Sequence, residues 1–200
     1  MTGLTAYVGL TEIAEMKQGD VVFISGAAGA VGTAAGQIAR LLGAKAVIGS
    51  AGSAEKVELL TGRYGFDVAL NYKDAPIRKQ LRAAATDGID VYFDNVGGEL
   101  LDAALANLAH GARIAICGAI STYNDETLAE GPRRYMALLV FRASMQGFVV
   151  MDYEDRYDEA IAGISELIRD GRLVATETIL DQRADLVIGY DEGLDRAALR

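Results

Sequence analysis

Three glycines, a lysine, an asparagine and a tyrosine are the residues whose types and spacing could do chemistry in this chain. In VVFISGAAGAVGTAAGQIARLLGAKAVIGSAGSAEK, Gly26, Gly29 and Gly32 separate an apolar run from a segment of helical period, and a second apolar run follows. Gly29 lets a backbone approach a pyrophosphate, and Gly32 lets helix and strand pack closely. The helix start then offers free N–H groups and a positive dipole end to an anion. Ala27 stands where a strict G-x-G-x-x-G turn carries its first glycine, a change that a small side chain tolerates. The bland alternative is an ordinary strand-to-helix turn, but a strand before, a helix after and a second strand at the right distance favour a dinucleotide site.

The second run then discriminates between cofactors. A site for NAD usually carries Asp or Glu at that strand end, about 20 residues beyond the glycine turn, to hold the ribose 2′-hydroxyl. Here the strand end reads IGSAGSAEK, with small residues, the Ser53 hydroxyl and the cation of Lys56. An acid would repel a 2′-phosphate and this set would accept one, which predicts NADP rather than NAD. A solvated lysine in a first helical turn, paired with Glu55 or another neighbour, is an equally good account of Lys56 taken alone.

Two further stretches, FDNVGG and ICGAISTYN, each follow an expected strand, so their loops should gather at the carboxyl edge of a sheet. Asn95 and the glycines after it could take the nicotinamide half of the cofactor, with the Tyr123 phenol beside it. Tight turns are the alternative, since Asn and Gly are common turn formers. Cys117 reads as a small buried apolar residue rather than a nucleophile. His110 is expected on a loop after its helix, with no catalytic role.

Positioning these residues requires strands that alternate with helices. VVFIS, KAVIGS, VALNY, IDVYFDNV, ARIAICG and MQGFVVM are the expected strands. SAEKVELL is an expected helix capped by Ser53, and GELLDAALANLAH is another. Six strands with helical crossovers predict an α/β fold, a doubly wound parallel Rossmann sheet with helices on both faces. Pro76 and Pro132 each suit the first turn of a helix. LTAYVGLTEIAEM opens the chain as an amphipathic segment, and a lone strand near VATETIL precedes a last helix. The 200 residues, 51% of them hydrophobic, are expected to form one domain over residues 1 to 200.

A net charge of -9 argues against a broad surface for nucleic acid or anionic lipid. One cysteine and one histidine supply neither a disulfide framework nor a metal cluster. A reducing cytoplasm is the expected compartment. The apolar runs are too short and glycine-broken to span a bilayer, and no charged-then-apolar leader opens the chain.

GLTAY, SGAAGAVG, GSAEK, NYK, DVYFDNVGGELLD, RIAICGAISTYN, GPRRYM and GFVVMDYEDRY together resemble the leukotriene B4 12-hydroxydehydrogenase/prostaglandin reductase branch of the zinc-independent medium-chain dehydrogenase/reductases. The likeness runs from about residue 2 to residue 180. It implies an NADPH-dependent reduction of the carbon–carbon double bond of α,β-unsaturated aldehydes and ketones. Hydride would reach the β-carbon, charge would gather on the carbonyl oxygen, and a proton would follow to the α-carbon. The resemblance also implies that Ala27, Ala28, Gly29 and Ala30 line the pyrophosphate and that Lys56 and Tyr72 approach the 2′-phosphate. Asn95, the loop of Cys117, Gly118, Ala119, Ile120 and Ser121, and the backbone of Phe148, Val149 and Val150 would surround the nicotinamide. Tyr123 would be the catalytic phenol, no metal would take part, and the edge strand near GFVVM would pair two copies into a homodimer.

Two departures from that family qualify the expectation. Its members carry a GroES-like domain ahead of the GLTAY segment, which here follows Met1 directly, and they end in a GxNxGK turn where this tail reads YDEGLDRAALR. The chain is thus expected to be the cofactor-binding portion of such a reductase, or alternatively an NADP(H)-binding module without turnover. A short-chain dehydrogenase would need Tyr-x-x-x-Lys, and no tyrosine here has lysine at that spacing.

Overall fold

Most apolar runs that follow one another in sequence become neighbouring strands. The computed structural model describes residues 1–123 and 130–175, and the expected features near VATETIL and beyond lie outside them apart from Val174 and Ala175. Six strands, β1 (Val21–Ile24), β2 (Ala46–Ala51), β3 (Val68–Asn71), β4 (Ile89–Asp94), β5 (Leu108–Ile116) and β6 (Ser144–Gly147), form one sheet in the order β3-β2-β1-β4-β5-β6. Every pairing is parallel, with Val22 beside Val47 on one side and Val91 on the other. This is the doubly wound arrangement, and its strand order reverses between β1 and β4.

β1 is buried at all four positions because both sheet faces are covered. Its side chains alternate between two cores. Val22 and Ile24 pack with α2 (Ala30–Leu41) through Ala35, Ile38 and Ala39, and with Leu60 of α3 (Ala54–Gly62). Val21 and Phe23 face α4 (Ile77–Ala84) and α5 (Gly98–Leu105) through Ile77, Leu81, Leu101 and Leu105. Phe23 stacks on Tyr92 with ring centroids 4.9 Å apart. On the first face, Gly36 of α2 admits the Phe66 ring, where a Cβ would stand 2.1 Å from the ring carbon. α1 (Thr2–Val8) packs against α7 (Tyr157–Arg169) through Leu4, Val8 and Ala160, and α6 (Met136–Phe141) leans on the second core.

Local forces redraw several expected boundaries. The amphipathic opening is α1 continued by a π-helical turn, Gly9–Ile13, in which Gly9 makes room for the rings of Phe93 and Phe148. α5 stops at Leu105 rather than running to His110, because Asn107 turns back on it. The Asn107 side-chain amide donates to the Ala103 carbonyl at 2.7 Å, and its own carbonyl accepts the Ile89 N–H at 2.9 Å. His110 therefore lies exposed in β5, within the irregularity that separates the Leu108 and Arg113 pairings. Neither proline enters a first turn as expected: Pro76 is the residue just before α4, and Pro132 lies ahead of α6. The sixth strand is Ser144–Gly147, so of MQGFVVM only the first three residues lie in it; Val150 opens a 3-10 turn instead.

Candidate functional site

All six strands point their carboxyl ends to the same edge, and the loops that leave it carry the residues singled out by the sequence. The turn after β1 is shaped by Gly26, whose φ of +57° favours glycine, and by the Ala27 N–H, which donates to the Ser50 carbonyl at 3.0 Å. Gly29 caps α2 without a side-chain acceptor, which leaves the first-turn N–H groups of the helix for a ligand. Gly32 holds the helix against the turn: a Cβ there would stand 2.5 Å from the Gly26 carbonyl oxygen and 2.7 Å from the Ala27 Cα. Only glycine permits this approach.

A cavity of about 620 Å³ opens beside this turn. Ala28, Gly29, Ser53, Lys56, Tyr72, Ile120 and Ser121 all line it. Ser53 caps α3, its hydroxyl accepting the Lys56 N–H at 3.3 Å, which fixes the start of the helix that carries Lys56. A second cavity of about 640 Å³ adjoins the first through Gly97, Glu99 and Ser121, and Gly118 and Ala119 line it with Asp94 and Thr122.

The other expected site residues sit around these cavities rather than on their walls. Ala27 is fully buried, its methyl group in the core, and Ala30 is exposed at the start of α2. Asn95 donates through its side-chain amide to the Ser25 carbonyl at 2.8 Å, tying the β4 end to the β1 end. Phe148 meets Phe93 edge-on at 6.3 Å, and its N–H donates to the Ile116 carbonyl. Val149 is exposed and Val150 is buried. Tyr123 is 61% exposed, and its Oη accepts the Ala119 N–H at 3.4 Å. Burial, with the nearby Asp94 charge, pushes the Cys117 thiol up to about 11, so it stays protonated and unreactive near neutrality.

Asp94 organises this edge, and the sequence reading missed it. Fully buried, its Oδ1 accepts from the Tyr92 phenol at 2.6 Å, the Ser25 hydroxyl at 2.9 Å and the N–H groups of Val96 and Gly97 at 2.9 and 2.8 Å. Its carbonyl accepts from Cys117 and Gly118. Three strand ends are thereby joined through one residue. Burial and the Asp94 charge hold the Tyr92 phenol well above its ordinary value, so it remains a donor. A carboxylate in an apolar strand was the available signal, since such a group survives burial only with several donors. Lys73, on the wall of the first cavity, was also missed.

The sequence profile described as "Zinc-binding dehydrogenase" matches residues 30–166. The chain belongs to the zinc-binding dehydrogenase family. Among curated proteins of this kind, the putative NADP-dependent oxidoreductase YfmJ of Bacillus subtilis is 50% identical over 184 residues, which cover 90% of this chain and 54% of that protein. The 2-alkenal reductase (NADP(+)-dependent) of Nicotiana tabacum is 45% identical over 197 residues, covering 96% of this chain and 57% of its own length. The structure of CurA in complex with NADPH from Vibrio vulnificus superposes with a TM-score of 0.84 at 42% identity, covering 90% of this chain and 55% of that one. The chain spans about half the length of the curated relatives it matches. Prostaglandin reductase 1 of Bos taurus is 44% identical over 185 residues, and these relatives are similar to the chain in the branch that its motifs resemble.

The family name implies a metal, and the described residues do not fit one. Among the described residues no group of three His, Cys, Asp or Glu side chains could hold a metal ion. His110, near the start of β5, and Cys117, just past its end, are single in the sequence. Among the described residues, no helix is long and apolar enough to cross a membrane.

Proposed function

We propose that this chain holds NADP(H) as the cofactor-binding portion of a reductase that saturates the carbon–carbon double bond of α,β-unsaturated aldehydes and ketones. The observation that carries the reading is the close approach at Gly32, beside a cavity that Gly29, Gly52, Ser53 and Lys56 line with no acid at the end of β2. The relatives' named activities, 2-alkenal, (+)-pulegone and prostaglandin reduction, support the substrate class.

When bound, the nicotinamide supplies the hydride. This chain's own residues bind and orient. The N–H groups of the first turn of α2 and the backbone of Ala27, Ala28, Gly29 and Ala30 hold the pyrophosphate. Ser53, Lys56 and Tyr72 hold the 2′-phosphate. Asn95, the loop from Cys117 through Ser121 and the backbone of Phe148, Val149 and Val150 enclose the nicotinamide end. Tyr123 Oη accepts the Ala119 N–H and keeps its own proton available to donate to a carbonyl oxygen gathering charge.

Calorimetric titration tests this: NADPH should bind more tightly than NADH by tenfold or more, and equal affinities would overturn it. Joined to a substrate wall, the chain should consume NADPH only when an enone is added. Absence of enone-dependent loss of NADPH absorbance there would leave a binding module. The β6 edge supports pairing of two copies, since among the described residues it is the outer strand of the sheet; light scattering at the monomer mass would refute that. The single cysteine, a free thiol, fits a reducing cytoplasm.

A further inference from the structure

From the first cavity we infer that Lys73, together with Lys56, forms a two-ammonium clamp on the 2′-phosphate and that Gly52 is the position that makes room for it. The inference rests on the cofactor reading above.

Gly52 is the first residue beyond β2, where an acid would stand in an NAD site. It is also where two side chains of the next strand's turn converge. A Cβ on Gly52 would lie 2.6 Å from the Tyr72 hydroxyl oxygen and 3.4 Å from Lys73 Cε. The Lys73 stem thus lies across the end of β2, and both lysines line the cavity, Lys56 from α3 and Lys73 from the turn after β3. That turn is held in place. Asn71 Oδ1 accepts the Lys73 N–H at 3.1 Å, while the Asn71 amide donates to Asp74 at 2.8 Å.

Charge explains why one lysine is insufficient. A phosphomonoester carries about -1.5 to -2 charges at neutral pH. It must also approach a chain of net charge -9, so local cations have to offset a repulsive field. One ammonium leaves roughly half of the ligand's charge unmatched, whereas two on facing elements balance it. Glu99, the one acid among the described lining residues, begins α5 after β4, two strands away from β2.

The test compares Lys73→Met, which keeps the stem and removes the charge, with Lys73→Arg, using 2′,5′-ADP and 5′-AMP as probes in isothermal titration. For Lys73→Met, the 2′,5′-ADP dissociation constant should rise about tenfold and 5′-AMP binding should change less than about twofold. The dependence of 2′,5′-ADP affinity on salt should become shallower, and Lys73→Arg should restore both. Unchanged 2′,5′-ADP affinity in Lys73→Met, with the parent chain binding normally, overturns the role of Lys73 alone. Equal weakening of both probes also overturns it. Failure of the parent chain to bind 2′,5′-ADP removes the cofactor reading and this inference with it.

Discussion

Replacing Gly32 with alanine is the most direct test of the cradle. In an open helix position this change stabilises by about 0.5–1 kcal/mol, because glycine loses more backbone freedom on folding. Here the new methyl group would stand 2.5 Å from the Gly26 oxygen, and an ordinary contact is 3.4 Å, so helix and turn must part by about 0.9 Å. Backbone on both sides leaves no side chain to rotate away. Overpacking of this kind costs about 1–3 kcal/mol, which outweighs the propensity gain and leaves a net loss of roughly 1–2 kcal/mol. The midpoint of thermal unfolding should fall by about 2–8 °C. A 0.9 Å retreat carries phosphate contacts of about 2.9 Å beyond hydrogen-bond range, and NADPH affinity should drop by about 10- to 100-fold. Gly163→Ala in α7 is the control, since a Cβ there meets nothing within 4 Å and should raise the midpoint without touching affinity. Calorimetry and titration on the two variants decide the matter. If Gly32→Ala behaves like Gly163→Ala in both assays, the close approach at Gly32 has no part in binding.

Other perturbations isolate other parts of the site. Lys56→Ala should weaken NADPH by about tenfold or more and NADH by less than about twofold in the same titration; equal losses would show that Lys56 does not read the 2′-phosphate. Tyr123→Phe should slow enone-dependent NADPH consumption, measured with the substrate wall present, by roughly 10²-fold while cofactor affinity stays within a few-fold. Unchanged rates would make Tyr123 structural. Cys117 should alkylate slowly at pH 9, with its rate rising as pH approaches about 11 and levelling off above it. The linked stability has a definite sign, because the unfolded thiol ionises first. Stability is complete below about pH 9 and declines toward pH 11 in the parent chain, but not through this group in Cys117→Ala, as denaturant unfolding at several pH values would reveal.

The sheet was legible because buried parallel strands read as short β-branched runs, and VVFI, AVIG and VYF are such runs. Helix ends were legible where a side chain announces them, as Ser53 does. They were illegible where tertiary contacts decide: Asn107 ends α5 by bonding two elements at once, and the π-helical turn depends on two distant phenylalanine rings. Of the site, Gly32 and Ser53 declared themselves through spacing. Asp94 did not, since its worth comes from four donors gathered from β4 and the turns after β1 and β4. Lys73 was hidden because only the fold brings the β3 turn over the end of β2.

The central position of β1 has a consequence during biosynthesis. Its hydroxyl neighbour Ser25 finds Asp94 69 residues later, so an emerging nascent chain presents an apolar ribbon with one long flank unpaired. At about 5–20 residues per second, ribosomes need roughly 3–14 s to deliver the missing partner. A chaperone that shields short hydrophobic stretches has its natural target at Val21–Ile24 during that interval.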